Sequence, residues 1–114
     1  MTDTANGYTL TPELLTLVAE RFKALGEPAR LHILNALRDG EMTVSELMEA
    51  TGLGQANASK HLQLLHSLGF VERRKEGLFV YYRLASEHVF QLCDLMCGRL
   101  EEEAEARARV LAGG

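Results

Sequence analysis

The sequence predicts a mainly helical α+β domain, and three observations carry that prediction. Apolar residues recur at three- and four-residue spacing from Leu14 to Leu68 and again from Val89 to Leu111. Glycine or proline stands where each run should stop or start, at Gly26, Pro28, Gly40 and Gly52. Between the two helical regions, residues 70–84 change period and become rich in branched and aromatic side chains around Lys75-Glu76-Gly77, which predicts a β-hairpin.

Residues 1–10 are polar, contain Gly7 and show no period, which predicts a flexible arm. Thr11-Pro12-Glu13 starts the first helix, with Thr11 as N-cap and Pro12 at the first helical position. Leu14, Val18, Phe22 and Leu25 mark its stripe, and Gly26 closes it. Pro28 opens the next helix, which should run to about Asp39 with Leu31, Leu34, Ala36 and Leu37 inward before Gly40 ends it.

Residues 43–68 hold the organising pattern. Thr43 with Glu46 forms a capping box, Gly52-Leu53-Gly54 breaks the helix after about two turns, and a second helix opens near Gln55. Ala58, Leu62, Leu65 and Leu68 share one face of that helix, while Gln55, Asn57, Ser59, Lys60, His61 and Gln63 lie mostly off it. Short helix, tight glycine turn and longer helix make a helix-turn-helix. From Gln55 to Leu68 there is no carboxylate, and the amide, hydroxyl and ammonium groups there suit base edges and phosphates. An ordinary helical hairpin with a polar solvent face is the plainer reading of the same stretch.

The hairpin over 70–84 follows directly, as a two-stranded wing with Arg73, Arg74 and Lys75 at its tip. Beside a recognition helix those bases point to phosphate contact, ahead of the plainer role of keeping an exposed strand edge from pairing. Ser86 should cap the last helix, running to Leu111, along which Val89, Leu92, Cys93, Met96, Leu100, Ala104, Ala108 and Leu111 keep helical spacing. That stripe spans roughly 35 Å, long for so small a core, and a second copy of the same helix would cover it.

Length and composition bound the rest. At 114 residues, residues 11–114 should form one domain. No apolar run approaches a membrane span and no signal pattern opens the chain, which points to the cytoplasm and away from membranes. Two cysteines read as thiols, not as a disulfide framework. Net charge is −4, but the acid gathers late, at Glu101, Glu102, Glu103 and Glu105. Between Gln55 and Leu84 five bases face two acids, leaving +3, so a basic face on an acidic chain is allowed.

Taken together, Phe22-Lys23-Ala24-Leu25-Gly26-Glu27-Pro28-Ala29-Arg30, Ser45-Glu46-Leu47, Gly52-Leu53, Ala58-Ser59-Lys60-His61-Leu62, Leu65, Leu68-Gly69-Phe70-Val71 and Val80-Tyr81-Tyr82-Arg83-Leu84 resemble the ArsR/SmtB family of small winged helix-turn-helix repressors. The resemblance covers about Leu14 to Leu100. It implies a homodimer whose two recognition helices enter successive major grooves of a near-palindromic operator in double-stranded DNA, with an effector that lowers DNA affinity. Two departures concern that effector. Thr43 and Ser45 stand where the family's Cys-x-Cys metal site lies. Ser86, His88, Arg99 and Glu102 stand where its second site has Asp, His, His and Glu. Neither metal site is therefore assigned.

The remaining soft donors are Cys93 and Cys97, four apart on one helix face. They could take a soft metal or metalloid ion or an oxidant, or pack as small hydrophobes. The expected DNA-facing residues are Gln55, Asn57, Ala58, Ser59, Lys60, His61, Gln63, Arg73, Arg74, Lys75 and Tyr82. The expected dimer face is Leu14, Val18, Phe22, Val89, Leu92, Cys93, Met96 and Leu100. No enzyme is expected: a thiol oxidoreductase fits poorly, because the CxxxC spacing lacks a surrounding βαβ pattern. The other rival is a winged-helix regulator or assembly module without its own effector site, its cysteines purely structural.

Overall fold

A computed structural model describes Gly7 and residues 9–113; most of the expected N-terminal arm, residues 1–6 and 8, lies outside the described residues. The element order is α1 (Pro12–Leu25), α2 (Pro28–Ala36), a 3₁₀ turn (Leu37–Asp39), β1 (Met42–Thr43), α3 (Val44–Thr51), α4 (Gln55–Ser67), β2 (Val71–Glu76), β3 (Phe79–Leu84) and α5 (His88–Leu111). The result is a mainly helical α+β winged helix-turn-helix.

The local signals act as their chemistry requires. The Thr11 hydroxyl accepts from the Leu14 N–H at 3.1 Å, at a helix start whose first position is Pro12. At α3 the capping box closes in both directions. The Glu46 N–H donates to the Thr43 hydroxyl at 3.2 Å, and the Thr43 N–H donates to Glu46 Oε1 at 2.9 Å. Gly52 takes φ +77° after α3, the left-handed turn that lets α4 start three residues later.

The sheet departs from expectation in two ways. It has three strands in the order β1-β3-β2, because Met42 and Thr43 pair with Tyr82 and Tyr81. A two-residue strand carries no period to read, so sequence spacing could not reveal it. The hairpin also turns later than the Lys75-Glu76-Gly77 pattern suggests. Glu76 pairs with Phe79, so the turn residues are Gly77 and Leu78. Gly77 has φ +60° and Leu78 does not have positive φ, the arrangement of a type II′ turn, which follows strand twist. The last helix likewise begins at His88, not Ser86; the Ser86 hydroxyl lies before it and accepts the His88 N–H at 3.1 Å.

The core gathers Ile33, Leu34 and Leu37 from α2 and its 3₁₀ turn, Leu47 from α3, Leu62 and Leu65 from α4, Val71 and Tyr82 from the sheet, and Val89 and Phe90 from α5. Leu31, expected inward, is 36% exposed, because Ile33 takes the inward position instead. This core holds α5 only near its start, through Val89 and Phe90, with Cys93 packed partly against it. The radius of gyration is 17.8 Å, against about 13 Å for a compact chain of this length. The excess comes with projecting helices whose apolar side chains are left largely in water in one protomer. Leu15, Phe22, Leu92, Leu95, Met96 and Leu100 are each about half exposed or more. Among the described residues, no helix is long and apolar enough to cross a membrane.

Candidate nucleic-acid interface

The site is built on α4, which the α3 turn holds against the core by Ala58, Leu62 and Leu65, all fully buried. That anchoring leaves Gln55, Asn57, Lys60 and Gln63 exposed on the opposite side. Ser59 and His61 are half-buried at its margins. Ala58 therefore does not belong to the outward set in which it was expected; its methyl group fills the core, consistent with its place in the apolar stripe.

His61 has a partner that sequence spacing did not indicate. Arg30 in α2 donates from Nη1 to His61 Nδ1 at 3.2 Å and from Nε to the Ala24 carbonyl at 2.7 Å. An arginine can only donate, so Nδ1 accepts and the ring proton sits on Nε2, which leaves the Nε2 edge as the donor. One guanidinium thus ties the end of α1 to the middle of α4.

The wing sorts its bases by strand register. Val71, Arg73 and Lys75 share one face of β2 with their partners Leu84, Tyr82 and Val80; Glu72, Arg74 and Glu76 share the other with Arg83, Tyr81 and Phe79. Arg73 and Lys75 are exposed, and among the described residues neither pairs with a carboxylate. Arg74 is different. Its guanidinium lies 4.5 Å from the centre of the Tyr81 ring, crosses β3 and donates to Glu41 beside β1, with Nε 3.1 Å from Oε2, and it also pairs with Glu76. The Arg74 hydrogen bond and charge hold the Glu41 carboxyl below its ordinary range, against a smaller opposing effect of burial, and the two glutamates push the Arg74 pKa up. Arg74, expected at a phosphate, is a strap across the wing whose charge is already met. Tyr82, also expected at DNA, is 6% exposed and packs in the core because its register places it on the inward face.

The expected dimer residues lie on α1 and α5. Phe22, Leu92, Met96 and Leu100 are exposed, Val18 is at 36%, and Leu14 and Cys93 are half-buried. Val89, expected at a dimer face, is 7% exposed and fills the protomer's own core. Both cysteines are free thiols; Cys93 packs against the core and Cys97 is exposed. Burial pushes the Cys93 thiol up, helped by Cys97 and Asp94 and opposed by Arg38. Among the described residues of one protomer, no three His, Cys, Asp or Glu side chains gather as a metal site. The positions that resemble the family's metal sites are otherwise engaged. The Thr43 hydroxyl is in the capping box, Ser86 Oγ lies 2.8 Å from His88 Nδ1, and Arg99 pairs with Glu103 at 3.5 Å.

Comparison with known proteins agrees with this geometry. Residues 27–73 match the model of the bacterial regulatory protein, arsR family. The transcriptional repressor SmtB homolog of Synechocystis is 35% identical over 96 residues, covering 80% of this chain and 73% of that protein. The cadmium resistance transcriptional regulatory protein CadC homolog of Staphylococcus aureus is 44% identical over 78 residues, 68% of this chain and 64% of that one. The solution structure of the homodimeric winged helix-turn-helix DNA-binding domain of Mb0332 from Mycobacterium bovis superposes with a TM-score of 0.71 at 42% identity, covering 82% of this chain and 87% of that one. The chain spans only 37 to 64% of the length of several curated relatives that it matches.

Proposed function

The chain belongs to the ArsR family of bacterial regulatory proteins, and from that premise we propose that it is a cytoplasmic, homodimeric transcriptional repressor that binds a near-palindromic operator and is released by a small effector. One observation carries the DNA-binding part. The outward side of α4 presents Gln55, Asn57, Lys60 and Gln63 with no carboxylate, beside a wing that exposes Arg73 and Lys75. Amides of this kind can bond an adenine edge in two places, and the cations suit phosphates. The dimer is supported by the bare apolar faces of α1 and α5, by the extended shape, and by a homodimeric structural neighbour. Two α4 helices related by a two-fold axis would read half-sites about 34 Å apart.

The effector we assign to the thiol-reactive class, soft ions or oxidants, through Cys93 and Cys97. One protomer brings two thiols four residues apart, a donor pair that suits a two-coordinate soft ion, and a second copy would add its own pair. The name of the cadmium-resistance relative supports that class. The packing of Cys93 against the core favours the competing reading, in which that thiol is structural.

The test is selection of duplexes from a randomised pool, followed by titration across salt and by sedimentation. A two-fold-symmetric site bound by two chains is expected, with affinity falling steeply as salt rises. Met96→Asp with Leu100→Asp should give a folded monomer, since both side chains are exposed in one protomer. A wild-type protein that stays monomeric, or selects no duplex, refutes the proposal.

A further inference from the structure

We infer that Leu78, at the tip of the wing, is an apolar wedge that enters the minor groove of duplex DNA beside the recognition helix, with Phe79 behind it. This rests on the DNA-binding function proposed above and adds a contact made by neither α4 nor the basic side chains.

Leu78 is 97% exposed and Phe79 is 60% exposed, its ring centre 6.5 Å from that of Tyr81. The turn does not ask for either. Gly77 supplies the positive φ, and the second position of such a turn is ordinarily filled by a small polar residue. A large apolar side chain held fully in water at that position breaks a local rule without any gain inside the protomer, which is the pattern of a functional site.

Charge and reach select the partner. Lys75 stands next to the tip without a carboxylate partner among the described residues. The one acid at the tip, Glu76, is exposed but paired with Arg74, so a phosphate backbone approaching Leu78 meets no unpaired carboxylate. From its root at the Val71–Leu84 pair, where Val71 is buried, the six-residue hairpin reaches about 17 Å. A minor groove lies half a helical turn, also about 17 Å, from the centre of the major groove that α4 would occupy. Leucine and phenylalanine are among the side chains that enter minor grooves between base steps, unstacking them and bending the duplex.

The experiment uses the full chain and a duplex that the wild-type protein selects from a randomised pool. Bending is read on circularly permuted fragments, and unstacking by 2-aminopurine placed at the steps flanking the half-sites. Leu78→Asn, which suits the turn, should raise Kd about tenfold and abolish both the bend and the fluorescence gain. Lys75→Ala should also raise Kd but leave the bend. A wild-type complex with neither bend nor fluorescence change, or a Leu78→Asn protein that binds within twofold and bends alike, overturns the wedge while leaving DNA binding intact. Unchanged DNA binding with altered self-association would assign the tip to a second copy of the chain and overturn it too. If the wild-type protein selects no duplex, the proposed function fails first and the wedge with it.

Discussion

Arg30 and His61 meet at 3.2 Å although 31 residues separate them, and the same guanidinium reaches the Ala24 carbonyl at 2.7 Å. Three helices, α1, α2 and α4, are thereby joined through one side chain, α4 being the proposed recognition helix. Arg30→Ala should lower stability by about 1–3 kcal/mol, the cost of removing charged hydrogen bonds from partly buried partners. Arg30→Lys should recover only part of that, because a single ammonium cannot fork between a carbonyl and a ring nitrogen. Urea unfolding gives the numbers. Equal stability of wild type and Arg30→Ala would show that the link is incidental.

Wing cations should separate by their partners. Removing Arg73 or Lys75 should weaken selected and random duplexes alike and flatten the salt slope by about one ion each. Arg74→Ala should leave the slope nearly unchanged, since Glu41 and Glu76 already balance that charge. Filter binding across a salt series decides it; a slope change for Arg74 as large as that for Lys75 would place Arg74 at a phosphate after all.

The Arg74–Glu41 strap should respond to acid in a defined direction. Glu41 is held below its usual 4.5 by the Arg74 hydrogen bond. Its contribution is therefore complete above the ordinary carboxylate value and is lost as pH falls through the lowered one. Glu41→Gln should mimic that acid form at neutral pH. Amide exchange in residues 72–83 should speed up in this variant, with α2 and α4 unaffected. Identical wing protection in variant and wild type would mean that the hairpin holds itself.

The two thiols should differ in reactivity. Cys97 is exposed, whereas Cys93 is half-buried with its pKa pushed up by that burial. Alkylation at neutral pH, mapped by mass, should label Cys97 well before Cys93, because the thiolate is the reactive form. If the thiols carry the effector response, Cys97→Ser should blunt release from DNA by thiol-reactive ions or oxidants. A Cys93→Ser, Cys97→Ser double variant that still releases normally would make both cysteines packing residues.

Much of the fold was legible in the chain because its signals are local. Thr11 with Pro12, the Thr43–Glu46 box, the glycine at 52 and the change of period after Gly69 each act within a few residues, and the structure realises each of them. The polar side of α4 was legible for the same reason, since helical spacing alone separates Gln55, Asn57, Lys60 and Gln63 from Leu62 and Leu65. The family metal sites could likewise be set aside from residue identity, because hydroxyls and a guanidinium do not replace thiolates and imidazoles.

What only the tertiary structure decided concerns pairs with no sequence period. Arg30 and His61, or Arg74 and Glu41, lie more than thirty residues apart, and nothing in local spacing announces them. Burial of Tyr82 depended on which face of β3 the hairpin register turned inward, and a one-residue slip would have reversed it. Val89 and Leu92 look alike in a helical stripe, yet Val89 is buried and Leu92 half exposed, because the core reaches α5 only through Val89, Phe90 and, in part, Cys93. Local chemistry therefore determined the elements and their polar faces. Which charges are free, which apolar residues remain bare and where the wing tip falls were decided by how those elements met.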